Sequence, residues 1–163
     1  MEIILWRHAE AEPGAPDAAR VLTAKGHKQA RKMAEWLDTT LPQSCRILVS
    51  PTARTLQTAE ALGRKFKIHD DLSPDATAQC VLAAAHWPDS REPVLVVGHQ
   101  PTLGILASLL ITGRQQDWTI RKGNVWWIVQ RDHDEDDDDH SERPDTYLRA
   151  VMTPELVSKT TAR

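Results

Sequence analysis

The sequence predicts an α/β fold: a three-layer α/β/α sandwich on a mainly parallel central sheet with an antiparallel edge. Three observations carry this. Short apolar, β-branched runs alternate with helical stretches three times along the chain, the pattern of parallel strands linked by helical crossovers. The most apolar of these runs, Pro93 to Val97, reads as a buried strand. The last two runs are joined by a link without helical character, so they are expected to pair as antiparallel neighbours.

Taken in order, Glu2 to Trp6 is apolar and β-branched and predicts the first strand. Glu12 to Asp17, with two prolines and a glycine, is a loop. Thr23 is the expected N-cap of a first helix. Ala30, Met33, Ala34, Leu37 and Leu41 form its apolar face, and Pro42 helps to end it. Arg46 to Val49 is a second strand, and Ser50-Pro51 turns the chain into a second helix from Thr52 to about Arg64. Phe66 to His69 predicts a short edge strand. A third helix is expected to begin at Pro74 and Asp75 and run to about Trp87. After the Pro93 strand, Gly98 to Pro101 breaks the chain, and Thr102 to Thr112 reads as a buried helix. Val125 to Gln130 and Thr146 to Met152 are the final strands. Trp126 and Trp127 then point to opposite faces, one to the core and one partly exposed. No internal repeat or linker is visible, so residues 1–163 read as one domain with a loose tail from about residue 153.

The bulk properties agree. A chain of 163 residues with 40% apolar content can build one sizeable core. Two cysteines, Cys45 and Cys80, are too few for a disulfide framework. No apolar run approaches the roughly 20 residues of a membrane span, and Ile3 to Trp6 is too short for a signal peptide. The expectation is a cytoplasmic protein with no membrane partner. Asp132 to Asp139 (DHDEDDDD) holds seven acids. The rest of the chain carries 20 basic residues against 23 less 7 acids, a net of +4. Such a mildly cationic body suits an anionic substrate but carries no nucleic-acid-binding stripe. The acidic run, in a hairpin loop of about 131–145, reads as a solvated segment without metal-ligand spacing.

Ligands of open α/β sheets bind outside the carboxyl ends of the strands. Arg7 and His8 follow the first strand, Ser50 and then Arg54 follow the second, and His99 follows the Pro93 strand. Singly, each has a plainer reading. Arg7 can pair with Glu10 or Glu12, Arg54 can be an exposed residue tied to an acid, and each histidine can be structural. Together they suit phosphoryl transfer. Two arginine forks match phosphate oxygens and stabilise charge developing on them. A neutral histidine is a competent nucleophile, and a second one can donate to the phosphoryl group. Helix N-termini after Pro51 and Pro101 add favourable dipoles. Adjacent side chains on a strand face opposite ways, so the first strand should stop near Trp6 if Arg7 and His8 are to meet one ligand.

These residues carry a resemblance. LWRHAE resembles the R-H-[GA]-[EDQ] signature of the histidine phosphatase superfamily, the phosphoglycerate mutase-like fold. RVLTAKGHKQA (Arg20 to Ala30), SPTARTLQTA (Ser50 to Ala59) and VVGHQP (Val96 to Pro101) resemble three further family segments, in family order. The resemblance implies that His8 is the phosphorylated nucleophile and that Arg7 and Arg54 clamp the phosphate. It also implies that His99 completes the pocket and that Arg20 is a weaker substrate contact. Glu10 and Ser50 are read as groups that orient the site. Thr58, Gln57 and Gly26 are assigned to structure. The resemblance implies no metal and no cofactor.

Size and composition narrow the kind of member. Only about 27 residues separate Asp71 from Gly98, so there is no room for a cap domain. An open pocket admits a phosphorylated side chain on another protein. No family acid motif lies between Arg54 and His99. Asp70, Asp71 and Asp75 are the nearby acids; Asp71 and Asp75 read as turn or capping residues, with service as a proton donor the open alternative. A phosphoramidate needs less help from an acid than an ester, because its leaving nitrogen can be protonated beforehand. The chain therefore resembles SixA-type phosphohistidine phosphatases, which implies a phosphohistidine-bearing phosphotransfer protein as partner and phosphate or another oxyanion in the pocket. Two alternatives stay open: a phosphatase for small phosphate esters, and an inactive phosphoprotein-binding module.

Overall fold

Side-chain alternation along the strands sorts the core into two layers. In β1 (Glu2–Arg7), Ile4 and Trp6 join one buried cluster, and Ile3 and Leu5 join another. The same division holds in β2 (Arg46–Val49), where Ile47 and Val49 oppose Leu48. In β4 (Val94–Gly98), Leu95 and Val97 oppose Val94 and Val96. The first cluster is covered by α1 (Ala24–Thr40) and α2 (Ala53–Glu60). The second is covered by α3 (Ala78–Ala84) and α4 (Thr102–Thr112). Each large side chain buried this way contributes about 1.5–3 kcal/mol. These two layers therefore supply the stability that lets polar groups be buried at the sheet's edge.

The computed structural model describes residues 1–131 and 145–157. With β3 (Lys67–Ile68), β5 (Val125–Arg131) and β6 (Asp145–Met152), the sheet has six strands in the order β3-β2-β4-β1-β5-β6. The β1–β4, β2–β4 and β2–β3 pairs are parallel. The β1–β5 and β5–β6 pairs are antiparallel. This is the three-layer arrangement expected from the sequence. Trp127 is buried on the α1 side and meets Trp36 edge-on, whereas Trp126 is half-buried on the α4 side. Both cysteines are free thiols. Among the described residues no helix is long and apolar enough to cross a membrane.

Several boundaries differ from the sequence-based expectation, each for a local reason. β1 does not stop at Trp6: Arg7 pairs with Gly98, and the ladder closes with the His8 amide donating to the Gly98 carbonyl at 3.1 Å. α2 ends at Glu60, short of Arg64, and Gly63 follows with φ +69°. α3 begins at Ala78, not at Pro74, because the Thr77 hydroxyl accepts the Cys80 amide and caps the helix there. It ends before Trp87, and His86 sits in the left-handed region at φ 57°. The tail is not loose as far as it is described: Pro154–Leu156 form a 3₁₀ turn with Pro154 buried, in contact with α1. The acidic run Asp132 to Asp139 lies outside the described residues.

Candidate active site

Register brings the two histidines together. β1 and β4 are hydrogen-bonded neighbours, parallel, with Arg7 opposite Gly98. The next residue on each strand, His8 and His99, therefore emerges side by side at the carboxyl edge. Their ring centroids lie 5.4 Å apart, and both are nearly fully buried. β2 runs beside β4, and the Ser50 amide donates to the Val97 carbonyl at 3.1 Å. That places the Ser50 hydroxyl 2.7 Å from His99 Nε2. One turn into α2, Arg54 reaches the same place, with Nη2 3.4 Å from His99 Nδ1. Thr52 and Thr55 close a capping box at the start of α2, so this helix end is satisfied by its own side chains.

The hydrogen bonds assign the tautomers. A carbonyl only accepts, so the 2.7 Å contact between His8 Nδ1 and the Ala9 carbonyl puts the proton on Nδ1. The Nε2 lone pair of His8 is left free. A guanidinium only donates, so His99 Nδ1 accepts from Arg54 and His99 Nε2 donates to Ser50. Burial, together with the nearby arginines, pushes the His8 pKa down from 6.5 to about 4. Burial, then the neighbouring His8 and Arg54, pushes His99 down to about 3. Both rings are neutral at physiological pH.

Arg54 is buried and held twice by one residue. Its Nη1 donates to the Asp17 carbonyl at 2.9 Å, and its Nη2 donates to Asp17 Oδ2 at 3.0 Å. Arg20 donates from Nη1 to Asp17 Oδ1 and from Nε to the Glu12 carbonyl. The hydrogen bonds to Arg20 and Arg54 hold the Asp17 carboxyl below its usual range. It is therefore an ionised acceptor. Asp70, Asp71 and Asp75 are exposed and touch none of these groups.

Arg7 comes from β1 and is anchored elsewhere. Its Nη1 donates to the Ile120 carbonyl at 2.9 Å, and its amide donates to the Asn124 carbonyl. The Gly123 amide in turn lies 3.1 and 3.0 Å from the Arg7 and His8 carbonyls. The loop before β5 thus holds both residues by backbone contacts. The Nε atoms of Arg7 and Arg54 are buried without a partner, a state that a bound anion beside the guanidinium groups helps to compensate. Glu10 accepts the Thr23 hydroxyl at 2.8 Å through Oε2, and its amide donates to Gln29.

A family model described as the histidine phosphatase superfamily (branch 1) matches residues 3–77. The phosphohistidine phosphatase SixA of Escherichia coli (strain K12) is 32% identical over 122 residues, covering 69% of this chain and 76% of that protein. A SixA homolog of Haemophilus influenzae is also 32% identical, over 126 residues, covering 68% and 77%. The chain belongs to the histidine phosphatase superfamily. A solved structure of the protein histidine phosphatase SixA complexed with tungstate shares the fold at a TM-score of 0.76 and 25% identity, covering 97% of this chain and 100% of that one.

Within this superfamily fold, His8, Arg54, His99 and Ser50 are brought into one cluster, and Arg7 stands beside it on the β5 side. Arg20 reaches the cluster through Asp17. Gln57 accepts the Leu22 amide, and Thr58 accepts the Ala9 amide, so both fix the loop that carries His8. Gly26 is required by close approach: a Cβ there would lie 2.0 Å from the Glu10 carbonyl oxygen. Sequence reading missed Asp17. The available signal was its place three residues before Arg20, as the single acid in the turn that follows Pro16.

Proposed function

We propose that the protein is a phosphohistidine phosphatase that takes the phosphoryl group from histidine on a partner protein through an intermediate on His8. The observation that carries this reading is the state of His8: neutral, its proton fixed on Nδ1 by the Ala9 carbonyl, its Nε2 free beside Arg54 and His99. His8 Nε2 attacks phosphorus in line, and the bond from phosphorus to the substrate's ring nitrogen breaks. The substrate ring, protonated beforehand on its other nitrogen, leaves as neutral imidazole. Because the proton stays on Nδ1, phospho-His8 is itself a good leaving group. Water then attacks phosphorus, orthophosphate departs and neutral His8 returns.

Arg7 and Arg54 offer forked donors to the phosphoryl oxygens and counter the charge of the transition state. When a phosphoryl oxygen takes the Arg54 Nη2 donor in place of His99 Nδ1, Ser50 can donate to His99 Nε2, and His99 then carries its proton on Nδ1 and presents it to a phosphoryl oxygen. Arg20 acts through Asp17, which steadies the Arg54 fork. The chemistry of the acids favours a phosphoramidate over an ester. Among the described residues, the one carboxylate hydrogen-bonded to Arg7, His8, Arg54 or His99 is Asp17, and it is held ionised by its arginines. It cannot protonate an alkoxide. The similarity to SixA points the same way.

The test compares turnover on a phosphohistidine-bearing protein with turnover on sugar phosphates and nucleotides. The proposal expects strong preference for the former and none by His8→Ala. Equal or better hydrolysis of the esters contradicts it.

A further inference from the structure

A cleft of about 680 Å³ opens beside the His8 cluster, and Arg7, which flanks that cluster, lines the cleft. Its walls include Lys25 from the first turn of α1, and Arg121 and Lys122 from the loop before β5. Glu10 and Glu155 also line it, leaving four cations against two carboxylates. None of the ion pairs among the described residues involves Lys25, Arg121 or Lys122. All three side chains are exposed. Lys25 is placed where the helix dipole disfavours a cation, and no acid stands in that turn to offset it. The cleft is also close to the nucleophile: the Lys122 charge works, with those of Arg7 and Arg54, against protonation of His8.

We infer that this cleft docks carboxylate side chains of the partner protein next to its phosphorylated histidine. The inference rests on the phosphohistidine reading above and adds the chemistry of the surrounding surface. A phosphoryl group on a side chain enters the His8 cluster, while the surface around it must lie against the cleft. Unpaired cations there favour an acidic face by charge complementarity, which raises the association rate and selects the partner. A small phosphoramidate fills the cluster without reaching this cleft.

The experiment is the double variant Lys25→Glu with Arg121→Glu, assayed on a phosphohistidine-bearing protein and on free phosphohistidine. The expected result is a KM for the protein raised by about 10-fold or more, with a flatter dependence on salt. Turnover of free phosphohistidine should stay at the wild-type value, and the melting temperature should hold or rise slightly, since Lys25→Glu puts an acid in the first turn of α1. An unchanged KM and salt dependence on the protein overturns the docking inference. Equal loss on both substrates also overturns it, since the cations then act on the phosphoryl group itself. If the wild-type protein hydrolyses neither substrate, the functional reading fails first and takes the docking inference with it.

Discussion

The two halves of the sheet serve the candidate site by different means. The half formed by β1, β2 and β4 supplies side chains: His8, His99, Ser50 and, through α2, Arg54. The antiparallel half supplies backbone. Ile120 offers a carbonyl to Arg7, and Gly123 and Asn124 bond to the main chain of Arg7 and His8. Side-chain chemistry is tied to particular residue types, whereas backbone support is open to almost any residue that lets the loop take its path. The first half should therefore fail chemically when altered, and the second should fail sterically.

The largest effect belongs to the proposed nucleophile. His8→Ala should lower turnover by at least about 10³-fold, measured as phosphate release, with the fold intact by circular dichroism. Arg54→Ala should follow, with a loss of about 10²–10³-fold in kcat. The melting temperature should fall modestly, because the substitution removes the hydrogen bonds to Asp17 and leaves the buried His99 Nδ1 without a donor, but kcat should fall far more than any loss of folded protein explains.

Gly104→Ala tests the other half. A Cβ at Gly104 would lie 1.6 Å from the Trp118 carbonyl oxygen, so the loop leading to Ile120 must shift. The expected outcome is destabilisation by about 1–3 kcal/mol together with reduced kcat, although no group near the phosphoryl pocket has been changed. Ser50→Ala should be milder. His99 keeps its burial and loses its Nε2 partner, so kcat should fall by about 10-fold with KM little changed.

The pH dependence of stability has a definite sign. His8 and His99 have folded pKa values near 4 and 3, below the ordinary 6.5. Between those values and 6.5 the unfolded chain binds more protons. Their contribution to stability is complete above about pH 6.5 and is lost as pH falls toward 4, by up to about 1.4 kcal/mol per unit for each ring. Replacing His99 with Gln should flatten that part of the stability profile in denaturant titrations.

The same contrast explains what the sequence made legible. The strand and helix order follows from periodicity, and the convergence of Arg7, His8, Arg54 and His99 follows from what comes after each parallel strand. Thr23 was readable as a cap because hydroxyl residues before an apolar periodic run satisfy helix amides. What stayed hidden depends on partners far apart in sequence. The role of Asp17 needs the loop to fold back onto Arg54, 37 residues away. The extension of β1 through Arg7 was missed because its polar side chain leaves the core toward Ile120 while its backbone stays in the ladder. The N-terminus of α3 was misplaced because prolines 74 and 88 bracket a stretch in which Thr77, not Asp75, caps the helix.

The central claim is that His8 carries the phosphoryl group between substrate and water. The most direct measurement is to mix the enzyme with a phosphohistidine-bearing protein labelled in its phosphate, quench within one turnover in alkali, and map the label. Acid-labile phosphate on the peptide containing His8, absent from His8→Ala, is the predicted result. Label on another residue, or wild-type turnover by His8→Ala, would contradict the account.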